Sequence, residues 1–220
     1  MPPGPPAVGP NSEVHVSDHK ICNVTVLHEG WGRLVKLTIR LPNGEFMDRE
    51  VEDHGAAVAV LPYDPERRMA ILVRQFRAPV LLSSGMSRLL EAPAGMLEDE
   101  EPEACVRREA GEEAGLRLHA LERVATVWSS PGISTERLHL FLAPYARHDR
   151  VSAGGGLQEE HEDIEVVELS LAEVWRMAEI GEILDLKTLA LVQALKLRRE
   201  DLFQGGPPAD PLSSEAGCRG

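Results

Sequence analysis

The chain has 220 residues, 43% of them hydrophobic, which suits one domain, or one domain with a small appendage, around a real core. Its formal net charge of −13 argues against a protein that grips a nucleic-acid backbone, because that task needs a basic patch. Charge of this sign serves solubility, but an acidic protein that handles a polyanion must also bring in cations.

Three separated cysteines, Cys22, Cys105 and Cys218, form no C-x-x-C pair, which points away from a zinc site or a disulfide framework. A reducing, cytoplasmic setting is therefore expected. No apolar run of about 18 residues occurs, so no membrane span is expected. The Pro/Gly-rich start has neither the basic region nor the long apolar stretch of a secretory signal.

Residues 1–11, mostly Pro and Gly, read as a disordered tail. A β region over 12–54 follows. Its segment Leu34–Leu41 (LVKLTIRL) alternates apolar and polar residues and runs into Pro42-Asn43-Gly44, a turn signal. A second strand over about Glu45–Asp53 should complete a hairpin. The main domain is expected over 55–203. There, Ala56–Leu61 and Met69–Gln75 are short apolar runs flanking Tyr63-Asp64-Pro65-Glu66 and predict another strand pair.

A helix is expected over about Pro102–Ala114, since Pro suits a first helical position and Gly115 suits a left-handed stop. Strands are expected at Val124–Trp128, Arg137–Ala143 and Ile164–Leu169. A helical region begins near Leu171 and covers Ala172–Glu179. A last helix over about Lys187–Glu200 carries Leu189, Val192, Leu195 and Leu197 on its apolar side. Residues 204–220 read as a second disordered tail. Mixed strands with few helices suggest an α+β or α/β sandwich, and an α+β fold built as an α/β/α sandwich is expected.

The chemistry concentrates in Glu91–Leu116, EAPAGMLEDEEPEACVRREAGEEAGL. On the expected helix, Glu109, Glu112 and Glu113 stand at i, i+3 and i+4, which puts three carboxylates on one face. Val106, Ala110 and Ala114 form the neighbouring apolar stripe, and small residues, Gly111 among them, should let the helix lie close to a sheet. Like charges at this spacing repel by a few tenths of a kcal/mol, so a compensating cation is expected. Hard divalent cations with oxygen ligands fit, Mg²⁺ above all.

This segment resembles the Nudix box, G-x5-E-x7-R-E-U-x-E-E-x-G-U with U apolar. Arg108-Glu109-Ala110-Gly111-Glu112-Glu113-Ala114-Gly115-Leu116 matches its second half, with Ala110 a weak U. The first half is one residue short. Glu100 keeps seven residues before Arg108 but stands four after Gly95, whereas Glu101 keeps five after Gly95 and leaves six. Glu100 is preferred, because the shortening then falls in a loop and spares the helix register.

The resemblance extends over roughly residues 30–200, through Val73-Arg74-Gln75-Phe76-Arg77, Ser130-Pro131-Gly132 and Glu160-His161-Glu162-Asp163-Ile164. These look like the ADP-ribose pyrophosphatase and GDP-mannose pyrophosphatase branches of the family. Pro131 lies fifteen residues beyond Leu116, a spacing associated with the first branch, although the second shares Ser-Pro-Gly. The shortened loop, the Ala-Gly-Gly-Gly run at 153–156, and Asp185 with Lys187-Thr188 lean towards GDP-mannose.

By this resemblance, Glu109, Glu113, Glu162 and the carbonyl of Ala94 hold Mg²⁺, with Mn²⁺ as a substitute. Glu112 is a ligand or supports one, Arg108 orients box carboxylates, and Glu160 is the candidate water-activating base, with Glu159 beside it. Trp31, Arg49, Glu50, Arg77, Gly95, Met96, Glu136 and Lys187 are implied substrate contacts, Trp31 near the base and Arg49 across a homodimer interface. The residues themselves allow plainer readings: core packing for Trp31, a surface cation for Arg77, and a flexible acidic loop for Gly154 to Asp163.

The implied chemistry is Mg²⁺-dependent hydrolysis of the diphosphate of a nucleoside diphosphate sugar. It gives GMP and mannose 1-phosphate, or AMP and ribose 5-phosphate. A non-catalytic nucleotide-binding module would be favoured by loss of the box glutamates, and here they are present. No nucleic-acid or membrane partner is expected.

Overall fold

A computed structural model describes residues 18–157 and 163–204. The chain divides into two compact units between Asp53 and His54.

The first unit is a three-stranded antiparallel sheet in the order β1 (Lys20–Glu29), β2 (Arg33–Arg40), β3 (Phe46–Asp53). The expected hairpin is the β2–β3 pair. Strand β1 was not legible, because register shifts between Ile21 and Asn23 and between Val26 and His28 break its two-residue alternation.

The second unit is built on a seven-stranded mixed sheet. Strands β4 (Ala56–Asp64) and β9 (Arg137–Pro144) run parallel at its centre, flanked by β5 (Met69–Phe76) with β10 (Glu165–Ser170) on one side and β8 (Glu122–Trp128) on the other. Two strands of four residues, β6 (Arg88–Glu91) and β7 (Ala94–Leu97), add to β5 and β4. They are too short to show a period in sequence. Helix α1 (Ala78–Ser84) also went unread, because its first-turn Pro and closing serines look like a loop and it buries no residue.

The central strands have two buried faces. On β4, Val58 and Val60 join Val106, Ala110 and Ala114 of α2 (Pro102–Ala114). Ala59, Leu61 and Tyr63 face Leu171 and Val174 of α3 (Leu171–Glu179) and Leu191, Val192 and Leu195 of α4 (Leu186–Arg198). One helix on one face and two on the other make the α/β/α sandwich. Helix α4 starts one residue earlier than expected, because the Asp185 carboxylate accepts the Thr188 N–H at 2.9 Å and caps it.

The glycine run after β9 has a structural task, which corrects its reading as a flexible loop over residues 154–157. The Gly155 and Gly156 N–H groups donate to the carbonyls of Glu113 (2.9 Å) and Glu112 (3.1 Å), and the Val151 N–H donates to Gly115 O (2.8 Å). These are the carbonyls that the end of a helix leaves unpaired. Gly154 sits at φ +70°, and a Cβ there would lie 2.5 Å from the Glu113 carbonyl oxygen.

Gly154→Ala is therefore expected to destabilise the protein by about 2–3 kcal/mol, seen in calorimetry as a melting temperature roughly 5–10 °C lower. Gly111→Ala, whose methyl would meet nothing closer than 3.8 Å, should instead stabilise α2, by about 0.5–1 kcal/mol. Equal effects of the two substitutions would contradict this account of the loop.

Candidate active site

Helix α2 turns its three glutamates to one side, but into unlike surroundings. Glu113 is 2% exposed. Its Oε2 accepts the Ala94 N–H of β7 at 2.9 Å, and its Oε1 lies 3.4 Å from the Gln75 side-chain amide. Glu109 lies against the next residue of the same strand: a Cβ on Gly95 would fall 1.8 Å from Glu109 Oε1. The close approach expected of Gly111 thus belongs to Gly95, and Gly111 has room to spare.

The repulsion among the carboxylates is met by a cation of the chain itself. Arg108 reaches Glu100, Glu109 and Glu112, each at 2.9 Å. Its hydrogen bond holds the Glu100 carboxyl below the ordinary carboxylate range. Glu101 is the residue that precedes the first turn of α2. Behind this face, Cys105 is buried and its thiol donates to Met96 O at 3.3 Å. Burial, with the neighbouring glutamates, pushes that thiol up to about 12, so it stays protonated and unreactive.

A second charged cluster lies beside the first. Sequence reasoning pictured Arg77 with its fork free for phosphate. In the structure Nε and Nη2 grip the two oxygens of Glu91, at 2.7 and 2.9 Å. Lys187 also bonds Glu91, and its Nζ lies 2.9 Å from Asp185. Thr188 ties α4 to the β6–β7 turn, its Oγ1 accepting the Ala92 N–H at 2.6 Å. Glu91 is 1% exposed. Burial pushes its carboxyl up, but the Arg77 hydrogen bonds and the Lys187 charge outweigh that and leave it below the ordinary range. Among the described residues no hydrogen bond engages Arg77 Nη1, and one guanidinium can fork twice. The Glu113 charge is felt at Arg77, so the two clusters adjoin.

Other expected contacts are placed as follows. Met96 stands opposite Ala57 on β7. Glu136 precedes β9 and its carbonyl accepts the Ser129 N–H, at the same end of β4, where Arg137 and Leu97 both stand opposite Ala56. Trp31, in the first unit, is 84% exposed, which rules out its reading as core packing. In the same unit Arg49 Nη1 donates to Asp48 O at 2.8 Å, and Glu50 stands opposite Lys36. Glu159, Glu160 and Glu162 lie outside the described residues.

Sequence reasoning missed Gln75 and Glu91. The signal for Glu91 was present: an acid between the apolar Leu89-Leu90 and Ala-Pro-Ala-Gly has no water to face and must meet a cation.

Among the described residues, no three His, Cys, Asp or Glu side chains converge as a ready-made cation site. The donor set still suits Mg²⁺, which keeps several waters and takes one or two carboxylates together with substrate phosphates. Glu109 and Glu113, held against the Ala94–Gly95 backbone, are such a partial set.

The Nudix domain model matches residues 53–189. GDP-mannose pyrophosphatase of Cronobacter sakazakii is 44% identical over 151 residues, 68% of this chain and 78% of that protein. The Citrobacter koseri protein of the same name is 41% identical over 148 residues, 67% and 76% of the two chains. Among solved structures, an ADP compounds hydrolase superposes with a TM-score of 0.68 at 17% identity, covering 83% of this chain and 95% of its own. The chain belongs to the Nudix hydrolase family.

Glu91→Gln keeps the shape and removes the charge that holds two cations. It is expected to cost about 3 kcal/mol at neutral pH. Because the folded-state carboxyl titrates below the ordinary value of 4.5, its contribution is present in full above that pH and is lost as pH falls towards the folded-state value. Urea melts should show the gap between wild type and variant closing as pH is lowered below 4.5. A gap unchanged between neutral and strongly acidic pH would contradict the network.

Proposed function

We propose that the protein hydrolyses the diphosphate of a nucleoside diphosphate sugar, with GDP-mannose to GMP and mannose 1-phosphate as the favoured reaction. The observation that carries the reading is the clasp of Glu113 and Glu109 on Ala94–Gly95, which sets two box carboxylates side by side against a strand end. The choice of GDP-mannose is supported by relatives of that name at 39–44% identity.

Each part of the chain then has a task. Glu109, Glu113 and the Ala94 carbonyl would hold Mg²⁺, with Glu162 as a further ligand. When bound, the cation neutralises phosphate oxygens and lowers the pKa of a water. Arg108 keeps Glu109 and Glu112 apart and aimed. Glu160 would take the proton of the attacking water, a contribution of about 10²–10⁴-fold. The free edge of Arg77 and the ammonium of Lys187 would meet the phosphate or sugar, with Gly95, Met96 and Glu136 around them. Trp31, Arg49 and Glu50 would contribute from the N-terminal sheet.

Ile21, Val24, Val26 and Phe46 of that sheet are exposed, which supports a homodimer; the cytoplasmic setting is supported by the unpaired cysteines among the described residues. Light scattering should report about 48 kDa, twice the 24.1 kDa of one chain. A mass of one chain would remove Arg49 from the substrate contacts.

The alternative substrate is ADP-ribose, favoured by the fold neighbour that acts on ADP compounds. A product assay over a panel of nucleoside diphosphate sugars separates the two. GDP-mannose should be cleaved at least as well as ADP-ribose, EDTA should stop the reaction, and Glu113→Gln should abolish turnover with the fold intact. Lys187→Ala should lower kcat/KM roughly ten- to a hundred-fold, the loss of one charge-assisted hydrogen bond. A tenfold preference for ADP-ribose with no effect of Lys187→Ala would replace GDP-mannose by ADP-ribose.

A further inference from the structure

A polar cavity lies away from the box. It has a volume of about 280 Å³ and is lined by Arg67, Tyr145, Arg147, Arg150 and Glu168. Strand β4 separates the two places. Its residues Ala56–Ala59 pair with β7 and the box, whereas Tyr63 and Asp64 lead into the turn that carries Arg67. Four residues of strand from Ala59 to Tyr63 span about 13 Å.

The inner wall is tied together by hydrogen bonds, one guanidinium meeting two carboxylates. Arg67 bonds Asp64 through Nε at 2.6 Å, and bonds Glu168 (2.7 Å) and the Tyr145 hydroxyl (3.2 Å) through Nη2. Its guanidinium also lies over the Tyr145 ring, 5.7 Å from the centroid. The Tyr145 hydroxyl donates to Glu168 at 2.8 Å. Burial pushes that phenol up, so it remains a neutral donor.

The outer wall is different. Arg147 and Arg150 are exposed, and neither has an ion-pair partner among the described residues. Asp149, between them, is engaged elsewhere: its carboxylate accepts the Ala146 N–H at 2.8 Å and lies 3.1 Å from His119 and 3.6 Å from His148. The chain has 36 acidic residues against 23 Lys and Arg, so carboxylates are in excess, yet among the described residues Arg150 feels the charge of the Glu168 carboxylate of the same cavity without a direct ion pair. The lining sums to three guanidiniums and one carboxylate, a local charge of +2, which Asp64 behind Arg67 reduces by one.

We propose that this cavity binds a dianionic phosphate, free or as a small monoester, between Arg147 and Arg150 with Arg67 behind. Guanidiniums fork onto phosphate oxygens, and the two charges of a phosphate dianion match those of Arg147 and Arg150, which have no direct ion pair among the described residues. At about 280 Å³ the cavity lies at the small end of ligand sites, which suits phosphate or a small phosphate monoester. The site is independent of the reaction assigned to the box. The two remain mechanically linked: Arg150 bridges to Leu116, the Arg117 N–H donates to Asp149 O at 2.9 Å, and the Val151 N–H donates to Gly115 O at 2.8 Å. An occupant would therefore steady the segment that closes the end of α2.

The test is calorimetric titration of the full-length, EDTA-treated protein with inorganic phosphate and, separately, with a hexose 1-phosphate, at constant ionic strength in chloride. One saturable site that persists in Arg77→Ala is expected; ester bound at the box, as a reaction product would be, is the part that Arg77→Ala removes. The double variant Arg147→Gln/Arg150→Gln should weaken it at least tenfold, each single variant showing part of the loss. Both side chains are exposed, and an unchanged melting temperature without ligand would show that the variants fold. Arg77→Ala should leave the affinity unaltered. Tighter binding of the hexose ester would identify a sugar phosphate as occupant, and equal affinity would identify free phosphate. Absence of saturable binding, or binding that Arg77→Ala removes and the double variant retains, would overturn the proposal.

Discussion

Everything in the candidate site depends on holding a carboxylate where there is almost no water. An ionised group in such a place is tolerated only when its hydrogen bonds are supplied by the protein. Glu113 accepts the Ala94 N–H, and that bond requires α2 to lie directly on β7. Gly95 permits the contact by having no side chain where Glu109 passes. Ala110 and Ala114, fully buried on the same helix, keep it at that distance from β4. The glycine run after β9 then closes the helix end by taking the carbonyls of Glu112 and Glu113 themselves. Helix packing, loop closure and carboxylate placement are one arrangement.

Around that clasp the cations are distributed by task. Arg108 stands at the outer, wetter edge and serves three glutamates at once. Arg77 and Lys187 stand on the inner side and share Glu91, which has almost no contact with water. The exposed arrangement is the adjustable one, because solvent screens it. The buried one fixes the plane of a guanidinium, and so decides which edge is left to meet an anion. In a protein with so large an excess of acid, cations are the scarce component.

Much of this was legible in the sequence. The box helix showed itself through its Pro start, its Gly stop and the three-and-four spacing of its glutamates, all local features. The central strands β4, β5 and β9 showed themselves as apolar runs because both of their faces are covered. What stayed hidden was non-local. Glu91 and Lys187 are 96 residues apart, and no local pattern announces that they will meet. Strand β1 has bulges that scramble its alternation, and β6 and β7 are shorter than any period. Gly111 and Gly95 show the same limit: both lie in the box region, but only the fold tells which of them faces a side chain.

The central claim is that the clasped carboxylates of α2 hold the divalent cation on which catalysis depends. Titration of Mn²⁺ followed by electron paramagnetic resonance, which counts free against bound ion, tests it without reference to any substrate. The wild-type protein should retain Mn²⁺ that Mg²⁺ displaces, and Glu109→Gln/Glu113→Gln should release it while the far-ultraviolet circular dichroism stays that of the folded chain. Undiminished Mn²⁺ binding by the folded double variant would contradict the account.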